Sequence, residues 1–370
     1  MNEVQRLKKP KNILKVIFFS PIAKLVKWVY FLRRAFYDYG IFRQYSFYVP
    51  IISVGNLNLG GTGKTPFTLW LSQYLNARRK KVMILTRGYK GKLEHKSGIL
   101  FAGKKINPNP EDYGDEPLML ARRLEDASIV VGKKRALNLK YYFPKVEPDV
   151  VILDDGHQHL SLKRKLNIVL FDATMPIHLY ELAPLGYMRE GFSGLKDADL
   201  IVIGRADLAG PLQTEKLKML LRPHLPYSVE MVETGYRPTG FYNSTNDLVF
   251  NLSGIEGKKV ILIAGIADPK SFFQMVEDLG ALVLVTEAFP DHHYFKKEEI
   301  EALLSYAKNE DAFIVTTEKD IVRMRNVIED ESILYMQIEL FFINGEDKAS
   351  AIIDQACMLG HEEMSPHPWN

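Results

Sequence analysis

The sequence predicts a mostly parallel α/β sheet of the P-loop NTPase-like type, flanked by helices, with a second, smaller α/β domain and an N-terminal amphipathic helix. Three observations carry that expectation. Short β-rich runs alternate with helical patterns from Val49 to about Ile203, a second alternating set begins near Lys258, and the first apolar run feeds Gly60-Gly61-Thr62-Gly63-Lys64-Thr65. Alternation of this kind selects parallel strands with helices on both faces. A glycine-rich turn between a strand and a helix aims backbone N–H groups and the positive helix end at one spot, which suits a phosphate.

The N-terminus comes first. Residues 1–45 hold ten basic residues against two acidic ones, although the whole chain carries only +3, so the basicity belongs to this segment and the remainder is acidic. Ser20 and Pro21 read as the N-cap and first position of a helix reaching about Tyr37. From Pro21 to Tyr37 such a helix rises about 25 Å, short of the roughly 30 Å hydrocarbon core of a bilayer. Lys24, Lys27 and Arg34 share one face, with Trp28 and Tyr30 among the apolar residues, so a helix lying in the interface of an anionic membrane is expected. The alternative is a helix docked on the protein's own core. The uncharged stretch Val16–Ala23 is interrupted by Pro21 and lacks a clear small-residue cleavage site, which argues against a secretory signal. No nucleic-acid partner is expected, because no zinc-finger, basic-zipper or RNA-platform pattern accompanies the charge.

Strands buried on both faces are predicted at 51–54, 82–86, 129–131, 150–153, 168–171 and 200–203, with helices such as 66–76 and 117–124 between them. In the second set, strands are predicted at 260–264, 282–286, 313–316 and 333–343, and helices at 270–279 and 298–308. Between the sets the chain is rich in Pro, Gly and Asn. The expected organisation is therefore a membrane-associating segment 1–45, a P-loop domain 46–225, a linker region 226–257 and a C-terminal α/β domain 258–370. A hydrophobic content of 46% supports cores in both domains, and the single Cys357 excludes a disulfide framework and fits a reducing compartment.

Each residue type in the glycine-rich run has a task. Gly60, Gly61, Thr62 and Gly63 let the backbone wrap a phosphate, Lys64 would reach the β- and γ-phosphates, and the Thr65 hydroxyl would sit on Mg²⁺. Asn58 stands where the strict P-loop pattern has its first glycine. The strand 150–153 ends in Asp154-Asp155-Gly156-His157-Gln158-His159, carboxylates at the strand edge that faces the phosphate loop and could hold Mg²⁺ directly or through water. Zinc bound by Asp154, Asp155, His157 and His159 is a second possibility, short of a distant third ligand. Asp115 reads plainly as a helix N-cap with Pro117 in the first turn. Arg87-Gly88-Tyr89 and Lys133-Lys134-Arg135 follow strands and could clamp phosphate or simply face solvent. Asp291-His292 after the 282–286 strand is either an acid/base pair or an ordinary loop.

Taken in order, these motifs resemble the tetraacyldisaccharide 4′-kinase family, the lipid A 4′-kinases. The resemblance runs over nearly the whole chain: the basic aromatic N-terminus, Ser53-Val54-Gly55-Asn56-Leu57 leading into Gly60–Pro66, Arg87-Gly88-Tyr89, Gly114-Asp115-Glu116-Pro117, Asp154–His159, Met188-Arg189-Glu190, Phe289-Pro290-Asp291-His292 and Thr316-Thr317-Glu318-Lys319-Asp320. Three positions depart from the pattern the resemblance implies: His157 stands where the family often has Phe, and Met188-Arg189-Glu190-Gly191 differs from the more usual Leu-Arg-Glu-Pro at 188 and 191.

The resemblance implies a P-loop kinase that uses ATP and Mg²⁺ to phosphorylate the 4′-hydroxyl of an acylated glucosamine disaccharide 1-phosphate. It implies a peripheral or monotopic monomer at the cytoplasmic face of the bacterial inner membrane. It makes Asp115 the base toward the hydroxyl, with His292 its dyad partner, and Lys64 the phosphate-loop cation. It puts Thr65, Asp154, Asp155 and Glu190 around Mg²⁺, and Arg87, Tyr89, Gln158 and His159 near substrate or phosphates. With Asp115 and His292 assigned to different domains, closure before transfer is expected. Two other readings compete: a P-loop NTPase switch or metallochaperone hydrolysing ATP or GTP, and a membrane scaffold with a vestigial nucleotide site.

Overall fold

The computed structural model describes residues 13–103, 109–325 and 327–358, with side-chain surroundings from residue 19 onward. Arg6, Lys8, Lys9 and Lys11 of the basic segment lie outside the described residues. In chain order the elements begin with α1 (Ile13–Asp38), β1 (Ile51–Asn56), α2 (Lys64–Ala77), β2 (Val82–Thr86), β3 (Gly98–Phe101), α3 (Pro110–Tyr113), α4 (Asp115–Arg123) and β4 (Ser128–Val131). They continue with α5 (Arg135–Val146), β5 (Val150–Asp154), β6 (Leu166–Asp172), β7 (Leu200–Gly204), α6 (Ala206–Leu221), β8 (Glu230–Tyr242) and β9 (Leu248–Phe250). The last are β10 (Lys259–Ala264), α7 (Pro269–Asp278), β11 (Leu282–Ala288), α8 (Lys297–Glu310), β12 (Phe313–Thr317), α9 (Glu318–Met324), β13 (Ile333–Asn344) and α10 (Glu346–Met358).

Every strand and helix predicted by residue range is present, most within one or two residues at each end. The domain organisation differs from the sequential one. Contacts divide the chain into two compact units, the first of residues 1–86, 134–235 and 341–370, the second of 87–133 and 236–340.

In the first unit, six strands run parallel in the order β2-β5-β1-β6-β7-β8. All residues of β1, β2, β5, β6 and β7 are buried, as continuous apolar runs covered on both faces require. One core cluster packs Phe171, Ile201 and Ile203 of the sheet against Leu217 and Leu221 of α6. Each such side chain contributes about 1.5–3 kcal/mol on burial. The end of the chain returns here: Phe342 meets Trp70 of α2 at 4.8 Å between ring centres, and the Tyr74 hydroxyl donates to Asp354 of α10 at 3.0 Å.

In the second unit, β11-β10-β12-β13 run parallel, β8 lies beside β13 with β9 antiparallel to it, and β3 and β4 form an antiparallel pair. Val260, Leu262, Val315 and Leu334 pack on Phe272 and Val276 of α7, and Ile261, Ile263 and Ile314 pack toward Ile300 and Ala307 of α8.

The 226–257 stretch, expected as a linker, holds β8 and β9. Its Pro, Gly and Asn content misleads, as Gly235 shows. A Cβ on Gly235 would stand 2.7 Å from Asp207 Cγ and 2.8 Å from the Phe341 ring, so this glycine permits close packing of a strand instead of marking a turn.

Helix α1 also corrects an expectation. It spans 26 residues with Pro21 inside, so Ser20 caps nothing. Pro21 removes one backbone bond, and the turns on either side continue the helix across it. Ala23 and Arg34 are buried, whereas Leu25, Trp28, Val29 and Phe31 are exposed, and so are Lys24 and Lys27. Arg34 therefore leaves the basic face on which its spacing placed it. Among the described residues, no helix is long and apolar enough to cross a membrane.

Candidate active site

Because β1 and β5 are parallel neighbours with Val54 opposite Asp154, the glycine-rich loop and the two aspartates emerge at one edge of the first unit's sheet. The loop takes its turns at Gly60 (φ 103°) and Gly63 (φ 82°), both in the left-handed region. Asn58 does not turn at all. It bridges antiparallel to Met188 with ordinary backbone angles, so the position needs no glycine. Gly63 precedes α2 with no side chain capping the helix, which leaves first-turn N–H groups open toward an anion. Asn56 Nδ2 donates to Thr62 Oγ1 at 2.9 Å, and Arg205, at the end of β7, donates to the Gly61 carbonyl at 2.7 Å while pairing with Asp172 at 2.8 Å.

The adjacent carboxylates have different surroundings. Asp154 is buried and accepts hydroxyl bonds from Thr68 at 3.3 Å and Thr86 at 3.0 Å. Asp155, at φ 50°, faces Lys64 Nζ at 3.4 Å and Arg189 at 3.2 Å, and its backbone carbonyl accepts from Arg135 at 3.0 Å. Burial works to raise the Asp155 pKa, and Lys64, Arg189 and Arg135 override it, bringing the carboxyl down to about 2.

Glu190 and His157 meet α1. The Arg34 guanidinium donates through Nε to Glu190, contacts Asp197, and lies 3.1 Å from His157 Nε2, with all three of Arg34, Glu190 and His157 buried. His157 also faces Asn167 across its other ring nitrogen. His157 thus has polar partners on both sides. Arg33 donates to the Gln158 carbonyl at 2.9 Å. Burial, with nearby arginines, pushes His157 and His159 down to about 3, so both are neutral near pH 7. Among the described residues no group of three or more His, Cys, Asp or Glu side chains could hold a metal ion. That removes support for the four-ligand zinc reading, whereas Mg²⁺ on a nucleotide needs only one or two carboxylates besides the phosphates.

The second unit carries its own cluster. Asp115 opens α4 as its first residue; Gly114 is the N-cap, and no side chain caps the helix, so the plain N-cap reading of Asp115 fails. His292 Nδ1 lies 3.2 Å from Asp115 Oδ2, and Arg323 Nε donates to the same oxygen at 2.8 Å. Burial alone would raise the Asp115 pKa; the His292 hydrogen bond and the Arg323 charge bring it below the ordinary carboxylate value. His292 sits at φ 62° with its N–H bonded to the Gly265 carbonyl at 3.1 Å, a left-handed backbone that costs on the order of 1–3 kcal/mol and that its surroundings must enforce. The Tyr89 ring meets the His292 ring edge-on at 5.8 Å, and Arg87 pairs with Glu94 at 2.6 Å.

The Thr317–Asp320 motif ties α9 to this cluster. Thr317 caps α9 by accepting from the Asp320 N–H at 3.2 Å, Glu318 pairs with Arg123 at 2.9 Å, Lys319 pairs with Glu116 at 2.9 Å, and Asp320 pairs with Arg323 at 3.0 Å. Since Asp115 and His292 belong to the same unit, the closure inferred from their lying in different domains loses its basis.

The family described as LpxK, tetraacyldisaccharide-1-P 4′-kinase, matches residues 16–358. The chain belongs to the tetraacyldisaccharide-1-P 4′-kinase family. A tetraacyldisaccharide 4′-kinase of Desulfotalea psychrophila is 38% identical over 323 residues, covering 84% of this chain and 89% of that protein. One from Anaeromyxobacter sp. strain Fw109-5 is 34% identical over 329 residues, covering 89% and 88%. The crystal structure of LpxK from Aquifex aeolicus in complex with ATP matches with a TM-score of 0.74 at 27% identity, over 91% of this chain and 98% of that one. The chain is accordingly a tetraacyldisaccharide 4′-kinase, a phosphotransferase of lipid A biosynthesis.

Sequence reasoning missed three arginines. Arg205 was findable, since it follows a parallel strand just as Arg87 does. Arg34 was assigned to the wrong partner, and nothing in the spacing of Arg323 pointed to Asp115.

Proposed function

We propose that the chain transfers the γ-phosphate of ATP to the 4′-hydroxyl of tetraacyldisaccharide 1-phosphate, with Asp115 as the general base. The observation that carries this reading is the 3.2 Å contact between Asp115 and His292, residues far apart in sequence that the family resemblance implies as a dyad. The hydroxyl proton passes to Asp115 as the new O–P bond forms; the bond from the γ-phosphorus to its bridging oxygen breaks, and its electron pair leaves with ADP. The open N-terminus of α2 and Lys64 would neutralise charge on the transferring phosphoryl group.

Thr65, Asp154 and Asp155 offer the oxygen donors that would hold Mg²⁺ with the nucleotide. When bound, the ion would add positive charge at the phosphate oxygens. Glu190 would join these ligands only by exchanging its Arg34 partner. Gln158, His159, Arg87 and Tyr89 are assigned to the vicinity of substrate or phosphates.

The test is transfer of labelled γ-phosphate from Mg²⁺-ATP to tetraacylated glucosamine disaccharide 1-phosphate in mixed micelles, for the wild type and Asp115→Asn. Lipid product that falls by about 10²–10⁴-fold in the variant supports the reading. Undiminished product in Asp115→Asn overturns the base, and ATP hydrolysis without lipid product overturns the transfer.

We also assign α1 to the surface of an anionic membrane, at the cytoplasmic face of the inner membrane. Support comes from its exposed Leu25, Trp28 and Phe31 beside Lys24 and Lys27. Trp28→Ala with Phe31→Ala should reduce co-sedimentation with phosphatidylglycerol vesicles while leaving Arg34 in place. Unchanged partitioning would remove the assignment.

A further inference from the structure

Asp115 uses one carboxylate oxygen for both of its partners. His292 Nδ1 and Arg323 Nε converge on Oδ2, and among the described residues Oδ1 takes no hydrogen bond. Guanidinium usually meets carboxylate through two parallel bonds along its Nε–Nη2 edge. Here the pair is single, and Nη2 is buried with no partner among the described residues. Arg323 is itself held on all sides: Nη1 donates to Asp320 Oδ1 at 3.0 Å, to the Gly265 carbonyl at 3.2 Å and to the His293 carbonyl at 3.3 Å. Asp320 is fixed in turn by the Gly265 N–H at 3.0 Å and the Thr317 hydroxyl at 2.6 Å. The Gly265 carbonyl that takes Arg323 also takes the His292 N–H, so one backbone segment sets both groups facing the carboxylate.

We infer that Arg323 is the positioning residue of the phosphoryl transfer: it holds Asp115 as an anion by Oδ2 and leaves Oδ1 as the atom that accepts the hydroxyl proton. This rests on the reading of Asp115 as the base. Two charged or titratable groups face Asp115 directly, His292 from the loop after β11 and Arg323 from α9, with Asp320 behind Arg323 and Asp291 at 4.0 Å from the far nitrogen of His292. Arg323 is the one among them whose charge does not depend on pH in the working range. Its loss leaves a buried carboxylate that burial drives toward the protonated form.

The experiment is the pH profile of kcat/KM for lipid phosphorylation in the full-length wild type, Arg323→Gln, Arg323→Lys and Asp115→Asn. Arg323→Gln should show an acid limb displaced upward by at least about one pH unit, with activity at about pH 8 retained more fully than activity on the acid side. Arg323→Lys, which keeps the charge but not the Nε geometry, should keep the limb near the wild-type position and lower kcat. A uniform loss across the pH range in Arg323→Gln overturns the inference while a dead Asp115→Asn keeps the base. Full turnover in Asp115→Asn overturns the base itself. If Arg323→Gln does not fold, Arg323→Lys decides: an enzyme indistinguishable from wild type in profile and kcat overturns the inference, and a lowered kcat with the limb in place supports it.

Discussion

In the first unit, Lys64, Asp154 and Asp155 come together because β1 and β5 are parallel neighbours whose ends coincide. In the second, Asp115, His292 and Arg323 come together through ion pairs and hydrogen bonds among α4, the loop after β11 and α9. A site placed by strand ends can lose a charged side chain and keep its frame, since the apolar sheet beneath it carries the stability. A site placed by buried ions has its frame and its chemistry in the same side chains. Removing one partner there leaves a buried charge uncompensated, which costs far more than an exposed pair gains.

Three measurements would break or sharpen this contrast. The largest effect is expected for Lys64→Ala, which should lower kcat/KM about 10²–10³-fold, the loss typical of removing a charge-stabilising donor. Its urea midpoint should barely move, because Lys64 sits at the edge of the sheet. A large stability loss would show that the first unit also depends on its ions. Next, Asp320→Ala should destabilise the second unit by about 3 kcal/mol, because the buried Arg323 loses one of its two carboxylate partners and the Gly265 N–H loses its acceptor. Denaturant unfolding at an unchanged midpoint would erase the contrast from the other side.

The third measurement concerns acid, where the effect per pH unit is the smallest of the three. His157 and His159 have folded pKa values near 3, far below the usual value near 6.5, so between those limits the unfolded chain binds protons that the folded one does not. Stability should therefore fall as pH drops below about 6.5, by up to about 1.4 kcal/mol per unit for each histidine. His157→Phe, which removes the titrating ring, should flatten that slope, although it leaves Arg34 one partner short. Equal slopes in variant and wild type would show that His157 is not the group responsible.

Legibility followed the same division. The phosphate loop and Asp154-Asp155 could be placed from residues alone, because a buried apolar run followed by a glycine-rich or acidic turn has few other meanings in a parallel sheet. Asp115 could not. Its own spacing pointed to a helix cap, and only the resemblance to the 4′-kinase family implied a base. The 226–257 stretch failed because its richness in Pro, Gly and Asn was read as a linker, whereas at Gly235 the lack of a Cβ serves packing beside Asp207 and Phe341. Arg34 failed because helical spacing assigns a face but not what lies against that face.

The sequence by itself determined the periodicities, and through them the parallel strands, the phosphate loop, the acidic strand end and an exposed apolar and basic stripe on α1, since these depend on local pattern and burial. The tertiary structure alone decided that residues 87–133 join 236–340, that Arg34 turns inward to Glu190 and His157, and that Arg323 and His292 share one oxygen of Asp115. Those outcomes depend on contacts between residues distant in the chain. The choice among buried partners for a charge is set by which desolvated groups can be satisfied together, and no local spacing records that.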